Sequence, residues 1–179
     1  MRIHLLVSAV FLMSSSAVAA AQAIDPVTLS PGQAVTLRFD DAGRAIAVER
    51  GSAEWTPFDV AVARSFVGGE FDDAIGNNVV PLTRGTGVPE PPPVAPNVVR
   101  IRFFDIAGRH SQLVIENGHD RGFLYRARIG SEQTMQRTDV CVVARDNRGV
   151  EHWPWAIARI ELSQLQLIPW RAGQAITCE

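Results

Sequence analysis

The chain lacks lysine: all 17 of its basic residues are arginine. Without an amine side chain it has no lysine Schiff base, no lysine general base and no phosphate-binding lysine of a P-loop. A strong charge of one sign is also missing, because 19 acidic residues leave a formal net charge of −2. We therefore expect no nucleic-acid partner and no attraction to an anionic membrane surface.

Strong catalytic and cofactor motifs are missing as well. The sequence contains no GxSxG, HExxH, CxxC, GxGxxG, calcium-loop or P-loop pattern. Its apolar runs stay below the roughly 18 residues that indicate a membrane-spanning helix. These absences predict no cofactor, no catalytic residues and no stable membrane span.

The first 23 residues have the order of a secretory signal peptide. A short positive start (1–4) precedes an apolar run (5–13) and a small, polar stretch (14–23). Small residues at −3 and −1 predict cleavage after Ala23, with Ala19 as the alternative. We expect export to the periplasm or out of the cell, and a buried N-terminal helix is the alternative interpretation.

Only two cysteines are present, Cys141 and Cys178. In an oxidising compartment a single pair is typical of one disulfide. It would close a loop of about 37 residues and contribute about 3–4 kcal/mol in the chain-entropy model. The alternative, Cys141 as a nucleophile, needs a thiolate-stabilising neighbour and a reducing supply.

A proline-rich segment interrupts the chain at residues 85–96, with five prolines and two glycines. This composition favours extended polyproline geometry and excludes a central strand. Neither flanking part is large enough to bury its surface efficiently by itself. We predict one domain, 24–179, with a proline-rich surface loop; a linker between two units is the alternative.

Alternating apolar and polar residues dominate the rest. They predict strands at 34–40, 44–49, 98–105, 111–116, 123–129, 138–145 and 156–168, with turns at 41–43, 107–109, 117–118 and 146–149. The alternation slips near Ser163 and Gln164, which predicts a bulge or a break into two strands. The pattern predicts a mainly β fold, an antiparallel β-sandwich of general immunoglobulin-like architecture.

One stretch fits both a strand and a helix. Phe58, Val62 and Phe66 recur at helical spacing. Thr56 is a good N-cap and Pro57 suits the first helical position. We predict one short helix here.

Histidines in predicted turns are the first candidates for chemistry. His110 and His119 lie in successive turns, and His152 lies further on. With a carboxylate, such a histidine could bind a metal or act as a base. Turn geometry alone also explains polar residues at these places, so the three histidines are weak candidates.

Trp153 and Trp155 flank a proline and form the second candidate. Two stiffly held aromatics could stack on a sugar ring or a peptide. The alternative is a loop that large buried aromatics pin onto the sheet.

Arginines on the polar faces of two predicted strands form the third candidate: Arg100, Arg102, Arg126 and Arg128. If the strands are neighbours, the guanidiniums form a patch for carboxylates or phosphates. The alternative is a solvated sheet face, balanced by Asp139 or Glu116.

A fourth candidate is acidic. Glu70, Asp72 and Asp73 lie in a glycine-flanked stretch. Three carboxylates are compatible with calcium without specifying it.

Taken together, these patterns predict an exported, non-catalytic binding or accessory module of the bacterial cell envelope, with an envelope protein or a glycan as partner. One alternative is a small periplasmic hydrolase or metal-dependent enzyme that uses the turn histidines. Another is a structural subunit that docks on a larger envelope assembly.

Overall fold

A computed structural model describes residues 24, 26–67, 89–131 and 133–179. The predicted signal peptide and the acidic stretch at 70–73 lie outside these residues. The described part contains nine strands and one helix: β1 (Val27–Leu29), β2 (Gln33–Phe39), β3 (Ala45–Ser52), α1 (Pro57–Val67), β4 (Val99–Ile106), β5 (His110–Asn117), β6 (Gly122–Gly130), β7 (Met135–Thr138), β8 (Asn147–Trp153) and β9 (Arg159–Ile168).

The strands form two antiparallel sheets. One has the order β1-β9-β6-β7 and the other the order β3-β2-β4-β5-β8. Alternate residues of both sheets enter one apolar core, among them Val35, Ile101, Phe103, Leu113, Ile115, Phe123, Tyr125, Ile160 and Leu162. The predicted mainly β, antiparallel sandwich is confirmed. Its likeness to immunoglobulin domains lies in the packing of two sheets, since the strand orders differ.

A tight turn between β4 and β5 fixes where β5 begins. Ala107 and Gly108 both have positive φ, 59° and 64°. Two such central residues make a type I′ turn, whose twist suits an antiparallel hairpin. The register pairs Ile106 with His110, so His110 is the first residue of a strand rather than part of the turn.

The predicted irregularity at Gln164 is a bulge in β9. Gln164 has φ 54°, and the register with β6 shifts there: Ser163 pairs with Arg126 and Gln166 with Leu124. The extra residue lets apolar side chains before and after it face the same core: Ile160, Leu162, Leu165 and Leu167.

The helix prediction is confirmed by α1. Thr56 donates its backbone N–H to Asp59 Oδ2 (2.9 Å), and Asp59 donates its N–H to Thr56 Oγ1 (3.2 Å). This reciprocal pair is a capping box. Val60 and Ala63 pack against Ile106 of β4, so the helix covers the outer face of the five-stranded sheet. In the described ranges, no helix is long and apolar enough to cross a membrane.

One predicted strand and one predicted turn are wrong. Residues 139–145 form only isolated bridges, Cys141 with Cys178 and Val143 with Phe123. The chain here crosses from β7 in one sheet to β8 in the other, so its apolar residues fill the core edge without a ladder. The turn predicted at 146–149 is mostly strand, because β8 starts at Asn147 and pairs with β5.

The strands before and after the proline-rich segment meet in one sheet, because β2 pairs with β4. The described end of the segment, 89–96, has no regular structure and reaches the turn at Gly118. Gly118 donates its N–H to Val98 O (2.9 Å) and accepts from Asn97 (2.8 Å). A side chain at Gly118 would meet the carbonyl oxygen of Ala95, which explains the glycine.

Candidate functional site

Two of the candidate histidines meet on the outer face of the five-stranded sheet. Strands β5 and β8 are neighbours, and their register pairs Gln112 with His152. His110, two residues before Gln112, lies on the same face and diagonal to His152. His110 Nδ1 and His152 Nε2 are 3.1 Å apart, and the ring planes differ by 19°. This geometry suits one N–H···N hydrogen bond between the imidazoles.

One exposed aromatic side chain stacks on this histidine pair, and a second follows the pair in the chain. The Phe66 ring, near the end of α1, stacks on His152 with the centroids 4.5 Å apart and the planes 2° from parallel. Trp155 follows His152 by three residues. Phe66 is 47% exposed and Trp155 is 48% exposed, unlike the other aromatic residues that the structure describes. Phe66, His152 and Trp155 are called the aromatic patch below.

The patch carries no formal charge at neutral pH. Burial, and secondarily the charge of His110, lowers the pKa of His152 from its ordinary value of 6.5. Its imidazole is therefore neutral at pH 7, and the two flanking rings are apolar. Flat ring faces beside neutral hydrogen-bonding nitrogens can stack on a ligand and also bind its hydroxyl groups.

Trp153 has no place in this patch. It is buried in the core between the sheets, and its Nε1–H donates to Thr138 Oγ1 at 3.0 Å. The two tryptophans therefore do not form one stacking surface. Trp153 is buried and holds the loop on the sheet, whereas Trp155 is exposed to solvent.

Arg102 lies on the outer face of the five-stranded sheet but is buried beneath α1. Its prediction as a ligand-binding residue on the surface is therefore wrong. Its guanidinium forms a bidentate pair with Asp59 of α1 and donates to Glu116 Oε1 at 3.2 Å. Glu116 also accepts from Arg148 Nε at 3.1 Å. Arg102, Asp59, Glu116 and Arg148 are called the buried ion cluster below. Its two positive and two negative charges balance beneath the helix.

The four candidate arginines do not form one patch. Arg100 and Arg102 belong to β4 and Arg126 and Arg128 to β6, which are strands of different sheets. The patch that neighbouring strands would have created is therefore absent.

Two of the other three arginines form ion pairs, and the third lines a cavity. Arg126 pairs with Glu179, and Arg128 pairs with Glu161 at 3.4 Å. Arg100 is exposed and lines a shallow cavity of about 320 Å³ with residues of β2 and β3. Glu49 and Arg50 line it as well, so the cavity has no single sign of charge.

The two cysteines form the predicted disulfide, with sulfurs 2.03 Å apart. Beside it, Glu151 accepts from the Cys141 N–H at 3.0 Å and from the Tyr125 hydroxyl at 3.1 Å. Burial raises the pKa of Glu151, and these hydrogen bonds oppose the shift. With both thiols bonded, Cys141 is not available as a nucleophile.

His119 lies at the other end of β5 from His110, so the two predicted turn histidines do not converge. Its ring meets Phe39 edge-on at 5.4 Å, and its Nε2 is buried without a hydrogen-bond partner among the described residues. Burial lowers the pKa of His119, and Arg121 adds to this. The carboxylates of Asp120 and Asp146 act in the opposite direction.

We expect stability to fall in mild acid because of this residue. The folded-state pKa of His119 is below the unfolded value of 6.5, so the unfolded chain binds the proton more tightly. The contribution is fully present above pH 6.5 and is lost as the pH falls through 6.5 toward the folded pKa. Urea unfolding at pH 7.5 and 5.5 should show a smaller difference in His119→Gln than in the wild type. An unchanged difference would contradict the assignment.

The described residues contain no group of three or more His, Cys, Asp or Glu side chains that could hold a metal ion. Of the three candidate histidines, only His110 and His152 contact each other. His152 also stacks on an aromatic ring, that of Phe66. The arrangement suits binding by stacking and hydrogen bonding.

Two residues of this site were missed from the sequence. Phe66 fitted the apolar stripe of the helix, and only its position in the last turn indicated that it could lie beyond the sheet. Gln112 occupies a polar position of β5 and is fully buried. No local signal distinguishes it from a solvated residue, because its burial depends on α1.

Comparisons of this chain with protein-family models, with curated proteins and with solved structures find no match.

Proposed function

We propose that the chain is an exported, non-catalytic binding module of the bacterial cell envelope, and that its ligand is an envelope glycan. The observation that carries this proposal is the aromatic patch: Phe66, about half exposed, stacks on His152, and the equally exposed Trp155 follows three residues later. The disulfide supports the oxidising compartment in which exported proteins fold. The signal-peptide pattern of residues 1–23 is its sequence counterpart.

A glycan fits the chemistry of the patch better than a charged ligand does. The apolar face of a sugar ring stacks on an exposed aromatic side chain, which buries area at little conformational cost. The sugar hydroxyls need polar partners, and the imidazole of His152 offers them. An ionised ligand would find no opposite charge within the patch.

Binding to cell-wall material tests the proposal. Purified cell-wall sacculi, mixed with the full chain and sedimented, should carry the protein down. We expect Trp155→Ala and Phe66→Ala to weaken binding about fivefold or more, since each removes a stacking face worth about 1 kcal/mol or more. Ile176→Ala is the matched control, because Ile176 is also a large, exposed apolar side chain, and it should leave binding unchanged.

Three outcomes would contradict the proposal. The first is a wild-type chain that stays in the supernatant, and the second is binding of both aromatic variants at the wild-type level. The third is recovery of the chain from crosslinked envelope with one stoichiometric protein partner and no glycan, which would favour the structural-subunit hypothesis.

A further inference from the structure

We propose that His110 and His152, with Gln112, form a binding site for a divalent transition metal, and that copper(II) binds it most tightly. The site shares His152 with the proposed glycan site, but its argument does not depend on glycan binding. It rests on the spacing of two imidazole nitrogens and on a buried amide that has no hydrogen-bond partner among the described residues.

The spacing of the nitrogens suits two ligands of one ion. His110 Nδ1 and His152 Nε2 are 3.1 Å apart. With metal–nitrogen bonds of about 2.0 Å, two nitrogens at this separation meet the metal at an angle of about 100°. That angle lies between the values of tetragonal and tetrahedral coordination.

The hydrogen bond between the two imidazoles can give way to metal coordination. In an N–H···N contact one proton lies between the two facing nitrogens. When the metal binds, this proton moves to the other nitrogen of its own ring, and both facing nitrogens can then coordinate the ion.

Gln112 supplies the second observation. It is fully buried, and both its amide oxygen and its amide nitrogen lack a hydrogen-bond partner among the described residues. An unsatisfied buried amide costs about 1–3 kcal/mol, so such groups have a structural or functional reason. The register places Gln112 opposite His152 and two residues from His110, on the same face. Its oxygen can bind the metal or a water on the metal.

The ligand set points to copper. Imidazole nitrogens suit zinc, copper and nickel, and nitrogen–oxygen sets in tetragonal geometry are typical of copper(II). The general order of affinities also places copper(II) above nickel and zinc. The Phe66 ring stacks on one face of His152 and leaves the edge of that imidazole, with its nitrogens, to the metal.

Titration of the full chain with copper(II), followed by calorimetry and by electron paramagnetic resonance, tests the site. We expect one ion per chain and hyperfine splitting from two nitrogens. His110→Gln and His152→Gln should each lower the affinity by about tenfold or more and leave fewer than two coordinated nitrogens. His119→Gln is the matched control, because this histidine lies at the other end of β5, and it should bind as the wild type does.

Gln112→Leu keeps the size of the side chain and removes its amide. We expect it to weaken copper binding without lowering the melting temperature, because it also removes the unsatisfied groups. If a histidine variant fails to fold, the nitrogen splitting of the wild type still decides the question. Absence of stoichiometric binding, or loss of binding in His119→Gln alone, would overturn the proposal. Trp155→Ala should keep the metal, so failure of glycan binding and failure of metal binding are distinguishable.

Discussion

Asp59→Asn should lower the free energy of unfolding by about 3–5 kcal/mol, the usual cost of breaking a buried ion pair from one side. Asp59 is fully buried and holds the Arg102 guanidinium, which is itself 1% exposed. Without the carboxylate, a buried positive charge keeps only part of its compensation, from Glu116. Denaturation by urea at pH 7.5 measures the loss.

Two further variants separate this charge effect from other causes. Adding Arg102→Met to Asp59→Asn removes the uncompensated charge, so the double variant should recover part of the loss. Glu49→Gln breaks the exposed pair with Arg38 and should cost less than about 1 kcal/mol. Equal losses in Asp59→Asn and Glu49→Gln would show that the cluster does not hold α1 on the sheet.

The disulfide should make a contribution of similar size. Replacing both cysteines by serine should lower the free energy of unfolding by about 4 kcal/mol, because the bridge closes a loop of 37 residues in the unfolded chain. The native C-terminus should also loosen. It is held by the bridge and by backbone hydrogen bonds between Glu179 and Val140, whose amide exchange should quicken.

Reductant provides the matched control for this prediction. Reduced wild-type protein should show the same loss as the serine variant, and the serine variant should not respond to reductant. A serine variant as stable as the oxidised wild type would contradict the expectation.

Much of the architecture was predictable, because its signals are local. Alternation predicted six of the nine described strands, β2 to β6 and β9, but not β1, β7 or β8. The cap at Thr56 with Pro57 predicted the helix. The phase slip near Gln164 predicted the bulge. The segment 139–145 misled because apolar alternation reports burial, and a chain that crosses between two sheets is buried without forming a ladder.

The candidate site was predictable only in part. His110 and His152 were singled out as residues, but their contact depends on the pairing of β5 with β8. In the chain these strands are separated by β6 and β7, which belong to the other sheet. Arg102 alternates as a surface residue should. It is buried because α1, which precedes the proline-rich segment in the chain, packs over it. Asp59 of this helix supplies the opposite charge.

The most direct test of glycan binding at the aromatic patch follows the indole N–H signals of the four tryptophans by nuclear magnetic resonance during addition of soluble cell-wall glycan strands. If the glycan binds at the aromatic patch, the Trp155 signal should shift and the shift should saturate. The Trp153 signal, whose N–H is bonded to Thr138 inside the fold, should stay in place. Saturable shifts confined to other tryptophans, or no shift at all, would contradict glycan binding at the aromatic patch.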